Sequence, residues 1–188
     1  MSRFVCLYVL VGLFLLAGCN QSATKTPPLL YVDNIDTSLK QTAFNGWQYK
    51  HQPFNGYMVE RDRDQKILYK LPIIDGREQG LALGWFNTGE KLMARHFKDG
   101  MKQGLFEQWW PNGNHHYLFN YEKDVLNGKQ LVFYANGKVR QESNYLMGNL
   151  EGLQRYWDIN GALLSNYTIK NNKLYGVIKV KSCMPHGH

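Results

Sequence analysis

The residues best equipped for chemistry stand at the end of the sequence, where Cys183, Met184, His186 and His188 gather a thiol, a thioether and two imidazoles within six residues. Soft sulfur and imidazole donors so close together are a ligand set for Cu(I). The competing reading is that a terminal segment frays and Cys183 packs or stays free. His115 and His116 are neighbours; on a strand they point to opposite faces and cannot grip one metal without a bulge, and His96 falls about two strand spacings away. Histidines that are solvated or packed on aromatic rings are expected there, with no metal site and no cofactor. The sequence holds no Gly-x-Ser-x-Gly elbow, His-Glu-x-x-His pair, phosphate loop or dinucleotide fingerprint, so it reads as non-enzymatic.

What positions these residues is a strict repeat. Gly56, Gly80, Gly104, Gly128, Gly152 and Gly176 recur every 24 residues without a slip, the mark of a tandem array of one supersecondary unit. Counting from each lead glycine, position 8 holds Asp64, Thr88, Asn112, Asn136 and Asn160, and position 9 holds Gln65, Gly89, Gly113, Gly137 and Gly161. Asn-Gly between apolar runs predicts a tight primed turn, because both residues tolerate positive φ. Position 20 holds Gly76, Gly100, Asp124, Gly148 and Asn172, types that accept left-handed backbone, which predicts a second turn. The runs between turns, about six to eight residues long, suit strands and are too short for independent helices. The expected fold class is all-β: an elongated single-layer antiparallel meander of five tandem 24-residue β-hairpin repeats over residues 56–176, curled by its own twist. An N-terminal cap over 29–55 precedes the repeats, and a last strand and tail over 177–188 follow them.

Apolar weight gathers at odd positions: Leu81, Leu105 and Leu153 at position 1, Trp85, Trp109, Phe133 and Trp157 at position 5, Phe97, Tyr121 and Tyr145 at position 17. Side chains alternate along a strand, so the odd face is expected to be the core. The other face also carries rings, with Phe86, Trp110 and Tyr134 at position 6, as a sheet without a second layer requires. One layer cannot hide every ring, and exposed aromatic surface marks an interaction site. Phe86, Trp110, Tyr134 and Tyr117 are therefore the candidate partner-binding residues, with Trp110 and Tyr134 expected to be the most exposed.

Residues 1–18 read as a signal peptide, with Arg3 in a short positive start and an apolar run from Phe4 to Leu16 that is too short to span a bilayer. Leu16-Ala17-Gly18-Cys19 looks like the lipobox of bacterial lipoproteins. That resemblance implies cleavage before Cys19, lipid attachment at its sulfur, and stable anchoring, since two or more acyl chains hold where one binds only reversibly. Asn20 in place of aspartate implies sorting to the outer membrane, facing the periplasm. The polar stretch that follows Cys19, with a proline pair at 27 and 28, reads as a flexible tether over 19–28. With Cys6 removed and Cys19 acylated, Cys183 is the one remaining thiol, buried, paired between chains, or reactive. Loss of Arg3 leaves 21 basic against 15 acidic residues, near +6; this favours acidic partners or anionic headgroups, and without a continuous basic run it does not imply nucleic acid.

The unit Gly-x-x-x-x-Trp-Tyr-x-Asn-Gly, followed eight residues on by Tyr and then by the next glycines, is clearest from Gly104 to Gly128 with Trp109, Trp110, Asn112, Gly113 and Tyr121. It resembles the MORN repeat variant of bacterial proteins grouped as the YwqK family of toxin-antitoxin system antitoxins. The resemblance implies a hairpin array without catalysis that binds proteins or lipids, and it names a toxin as the partner. Combined with export, it points to an immunity-like protein of the envelope. Binding of anionic lipid or glycan by the same sheet, and copper binding by the tail, are the alternative functions. The first repeat departs from the pattern, with Arg61, Asp62 and Gln65 where the aromatic pair and turn glycine belong, as a capping unit does.

Overall fold

The computed structural model describes residues 26–44 and 46–177. The signal peptide, Cys19, most of the tether and the Cys183–His188 ligand set lie outside the described residues. In chain order the strands are β1 (Tyr31–Asp33), β2 (Leu39–Thr42), β3 (Gly46–Tyr49), β4 (Gln52–Pro53), β5 (Gly56–Arg61), β6 (Ile67–Ile74), β7 (Arg77–Glu78), β8 (Gly80–Trp85), β9 (Lys91–Lys98), β10 (Met101–Trp109), β11 (His115–Glu122), β12 (Val125–Leu126), β13 (Gly128–Phe133), β14 (Val139–Leu146), β15 (Asn149–Trp157), β16 (Leu163–Lys170) and β17 (Lys173–Val177). One long sheet runs β1-β5-β6-β8-β9-β10-β11-β13-β14-β15-β16-β17, and β2-β3-β4 form a small second sheet. The five hairpins β5–β6, β8–β9, β10–β11, β13–β14 and β15–β16 are the five 24-residue units, and the meander is antiparallel throughout except where β1 joins β5 in parallel.

The two turns exchange the roles expected of them. At the Asn-Gly end only position 9 has positive φ, for example Gly113 at 84°. Gly113 N donates to the Trp110 carbonyl and Trp110 N to the Asn114 carbonyl. This is a three-residue loop, a type I turn closed by one left-handed residue. The primed turn lies at the other end, where Asp99 and Gly100, and likewise Met147 and Gly148, both have positive φ. Its first amide is held by a column that sequence reasoning did not register: Asp99 N donates to Gln79 Oε1, Lys123 N to Gln103 Oε1 and Met147 N to Asn127 Oδ1, each acceptor standing just before a lead glycine.

The expected core face also needs correction. Within each hairpin Gly104 pairs with Tyr121, Phe106 with Phe119 and Gln108 with Tyr117, so even positions of the first strand share a face with odd positions of the second. Position 17 thus lies with position 2, not with positions 1 and 5. Position 2 is the column buried in every repeat, as Met58, Ala82, Phe106, Gln130 and Gln154, whereas Leu81 and Leu105 at position 1 are exposed. A bulge at His116 then shifts the register, pairing Trp109 with His115 and resetting the alternation near the tip.

The apolar core sits where the small sheet covers this inner face at one end. Val32, Leu39 and Phe54 pack with Met58, Leu71, Ile73 and Ala82, flanked by Trp47, Tyr49, Tyr69 and Phe97. Trp47 N donates to the Gly76 carbonyl, Gly76 N donates to the Phe54 carbonyl, and Trp47 Nε1 donates to Glu78 Oε1 at 2.8 Å. The expected single layer is therefore doubled over the first hairpins. Beyond them the buried column turns polar. Gln130 Oε1 accepts from Asn120 N at 2.6 Å, and its Nε2 donates to the carbonyls of Asn120, Asn127 and Gly128. The side chain replaces ladder bonds lost at the bulge beside Gly128. Gln130→Leu is expected to cost about 1–3 kcal/mol by orphaning the half-buried Asn120 amide, read in urea unfolding as a lowered midpoint; an unchanged midpoint refutes this role.

Candidate binding groove

Position 6 of each repeat leaves the inner face at the hairpin tip, and its occupants meet different fates. Trp110 Nε1 donates to the Phe133 carbonyl at 3.3 Å and its ring lies 4.0 Å from that of His116. The Tyr134 hydroxyl donates to the Trp157 carbonyl at 2.9 Å, with the Arg140 guanidinium over its ring. Both are half-buried and engaged in repeat-to-repeat bonds, unlike the freely exposed rings expected. Phe86 has no polar atom to make such a bond. It lines an open groove of about 810 Å³ at the tips of the first hairpins.

Leu68 and Tyr69 of β6 form one wall of this groove, and Trp85, Phe86, Leu92 and Met93 of the second hairpin form the other, with Arg95 and Glu60 as its charged residues. The apolar walls follow from the repeat: positions 12 and 13 are Leu68 and Tyr69 in one unit, Leu92 and Met93 in the next. Position 4 is Gly84, where an added Cβ would stand 2.8 Å from Met93 Cγ, so the absence of a side chain lets Met93 lie flat. Arg95 Nη2 donates to the Tyr117 hydroxyl at 3.3 Å and its Cζ stands 6.0 Å from the Phe106 ring. Its Nε is covered and unpartnered, and among the described residues the guanidinium forms no ion pair. Burial pushes the Tyr69 hydroxyl above the usual tyrosine range; Arg95 works against that shift, and Glu78 and Glu60 add to it. The phenol is therefore neutral and a donor at physiological pH.

Of the residues singled out in the sequence, Phe86 lines the groove and Tyr117 supports it through Arg95, while its ring stacks on Phe119 at 4.5 Å. Arg95, Tyr69 and Met93 were missed. One signal was legible: position 15 reads Leu71, Arg95, Phe119, Ser143 and Tyr167, so Arg95 is a lone cation in an otherwise uncharged column. His115 and His116 pack on aromatic rings and His96 is exposed, as expected. His115 lies beside Trp109 and Phe133 with Nε2 3.4 Å from Glu107 Oε1. Burial first, then the Arg140 charge, lowers the His116 pKa. Among the described residues no three His, Cys, Asp or Glu side chains gather as a metal site.

Residues 102–123 and 126–146 match the family model described as the MORN repeat variant, that is, nearly all of the third hairpin and the whole of the fourth. No curated protein matches the chain. MORN repeat variants thus occur in the chain, built as the hairpins described above.

Proposed function

We propose that the protein is a non-catalytic, lipid-anchored scaffold of the bacterial envelope, tethered through Cys19 to the outer membrane and facing the periplasm, and that it binds a protein partner in the manner of an immunity protein against a toxin. The observation that carries the binding half of this reading is the groove: apolar walls that end on Arg95, a cation paired with no carboxylate among the described residues. The chemistry that complements it is a bulky apolar side chain next to a carboxylate on the partner. Burial of one such side chain contributes about 1.5–3 kcal/mol, and a carboxylate brought to Arg95 adds a charge-assisted hydrogen bond. The lipobox-like segment supports the anchor.

A photoreactive phenylalanine placed at Phe86 in the full-length protein, irradiated in native envelopes, is expected to capture one defined protein. Arg95→Met, which keeps the apolar stem, is expected to reduce that capture by roughly tenfold or more. The same yield from the Arg95→Met protein, or equal capture by a probe placed at Asn171 on the far turn, counts against the groove. Retention on anionic vesicles that survives removal of Cys19, with no protein captured, would favour the lipid-binding alternative.

A further inference from the structure

We infer that Asn160 is a site of spontaneous intramolecular deamidation, a reaction from which the fold protects the corresponding Asn112-Gly113 and Asn136-Gly137 pairs. All three pairs occupy the same place in the three-residue loop, with glycine at positive φ. The attacking nitrogens are held alike, with Gly113 N, Gly137 N and Gly161 N donating to the carbonyls of Trp110, Tyr134 and Asp158 at 2.9, 2.9 and 3.0 Å. The nucleophile therefore does not distinguish them. The asparagine side chains do.

Asn112 Nδ2 donates to the Ala135 carbonyl at 2.6 Å and its Oδ1 accepts from Asn114 N at 3.1 Å. Asn136 is held likewise, Nδ2 to the Ile159 carbonyl at 3.2 Å and Oδ1 from Lys138 N at 3.1 Å. In the last hairpin Asp158 has taken over the loop: its Oδ1 accepts from Asn160 N at 2.9 Å and from Ala162 N at 2.8 Å. Ala162 N is the amide that an Asn160 Oδ1 would otherwise receive. Asn160 is exposed, and among the described residues its side-chain amide has no hydrogen bond. Its backbone carbonyl instead accepts from Lys138 Nζ at 2.8 Å.

Cyclisation requires the asparagine Cγ to swing onto the next backbone nitrogen. Base removes the Gly161 amide proton, the nitrogen bonds to Asn160 Cγ, and the Cγ–Nδ2 bond breaks, with Nδ2 leaving as ammonia after taking a proton from water. Water then opens the five-membered imide at either carbonyl, leaving an aspartyl or isoaspartyl residue at position 160. One water is consumed and one ammonia released, with no oxidant or reductant. At Asn112 and Asn136 two hydrogen bonds must break before the swing, which slows the reaction by roughly ten- to thirtyfold. The product places a negative charge beside Lys138, and the isoaspartyl form lengthens the backbone of a three-residue loop, loosening the tip of the last hairpin.

The test is peptide mapping by mass spectrometry of the full-length folded protein during incubation at mildly alkaline pH, with isoaspartyl content measured at each asparagine. Position 160 is expected to convert roughly tenfold or more faster than positions 112 and 136, and the three rates are expected to converge in urea, where the tertiary hydrogen bonds are gone. Equal rates in the folded protein overturn the assignment. So does a gap that persists unchanged in urea, because it would then come from neighbouring residues and not from the fold.

Discussion

Phe54→Ala is expected to destabilise the protein by about 3–5 kcal/mol, the range for truncating a fully buried aromatic. Phe54 is 1 % exposed and packs edge-on to Tyr49 at 5.9 Å, and the core around it is the main dry one among the described residues. Its backbone carbonyl also receives Gly76 N, so the cavity opens where the small sheet is joined to the long one. The effect should be uneven. In a repeat array each unit contacts mainly its neighbours, so hydrogen exchange is expected to rise in β2 to β6 and to change little in β15 and β16. Uniform loss of protection along the whole sheet, or a cost below about 1 kcal/mol, would show that the cap is not an independent cooperative block.

Gly46→Ala is the second large effect, expected at about 3 kcal/mol from two sources, a left-handed residue and a broken docking bond. Gly46 has φ of 63°, and a Cβ there would collide with the Gly76 backbone carbonyl. That carbonyl accepts from Trp47 N at 2.8 Å, so relief of the clash pulls the cap away from the primed turn at Asp75 and Gly76. Gly104→Ala separates the two sources. Gly104 has φ of 77° with nothing within 4 Å of an added Cβ, so it should lose only the backbone share, about 1–2 kcal/mol. Thermal unfolding of both variants, with exchange at the Trp47 amide, checks this; equal destabilisation would mean that the Gly76 contact adds nothing.

Much of the architecture was legible because its causes are local. Glycine takes positive φ most freely, so glycines 24 apart locate the bulges and turns even though Lys123 and Met147 take positive φ unmarked by their type, and strand length limits each unit to a hairpin. The face of the sheet was misread for a reason that is also physical. Which positions share a face depends on the hairpin register, set by a three-residue loop and a bulge at position 12 whose geometry is not written in residue type. The site was only partly legible. Phe86 stood out as a ring at position 6, but nothing local shows that Trp110 and Tyr134 at the same position donate to the next repeat while Phe86 faces a groove.

The sequence by itself determined the period, the five hairpins, the places of their turns and the all-β class, since each follows from backbone preferences acting over a few residues. Only the tertiary structure decided which face is buried, how the cap seals it, where Arg95 comes to lie and which of three identical Asn-Gly pairs is left unheld. Those outcomes rest on hydrogen bonds and packing between residues 20 to 31 positions apart in the chain, and contacts at that separation exist only once the strands have found their register.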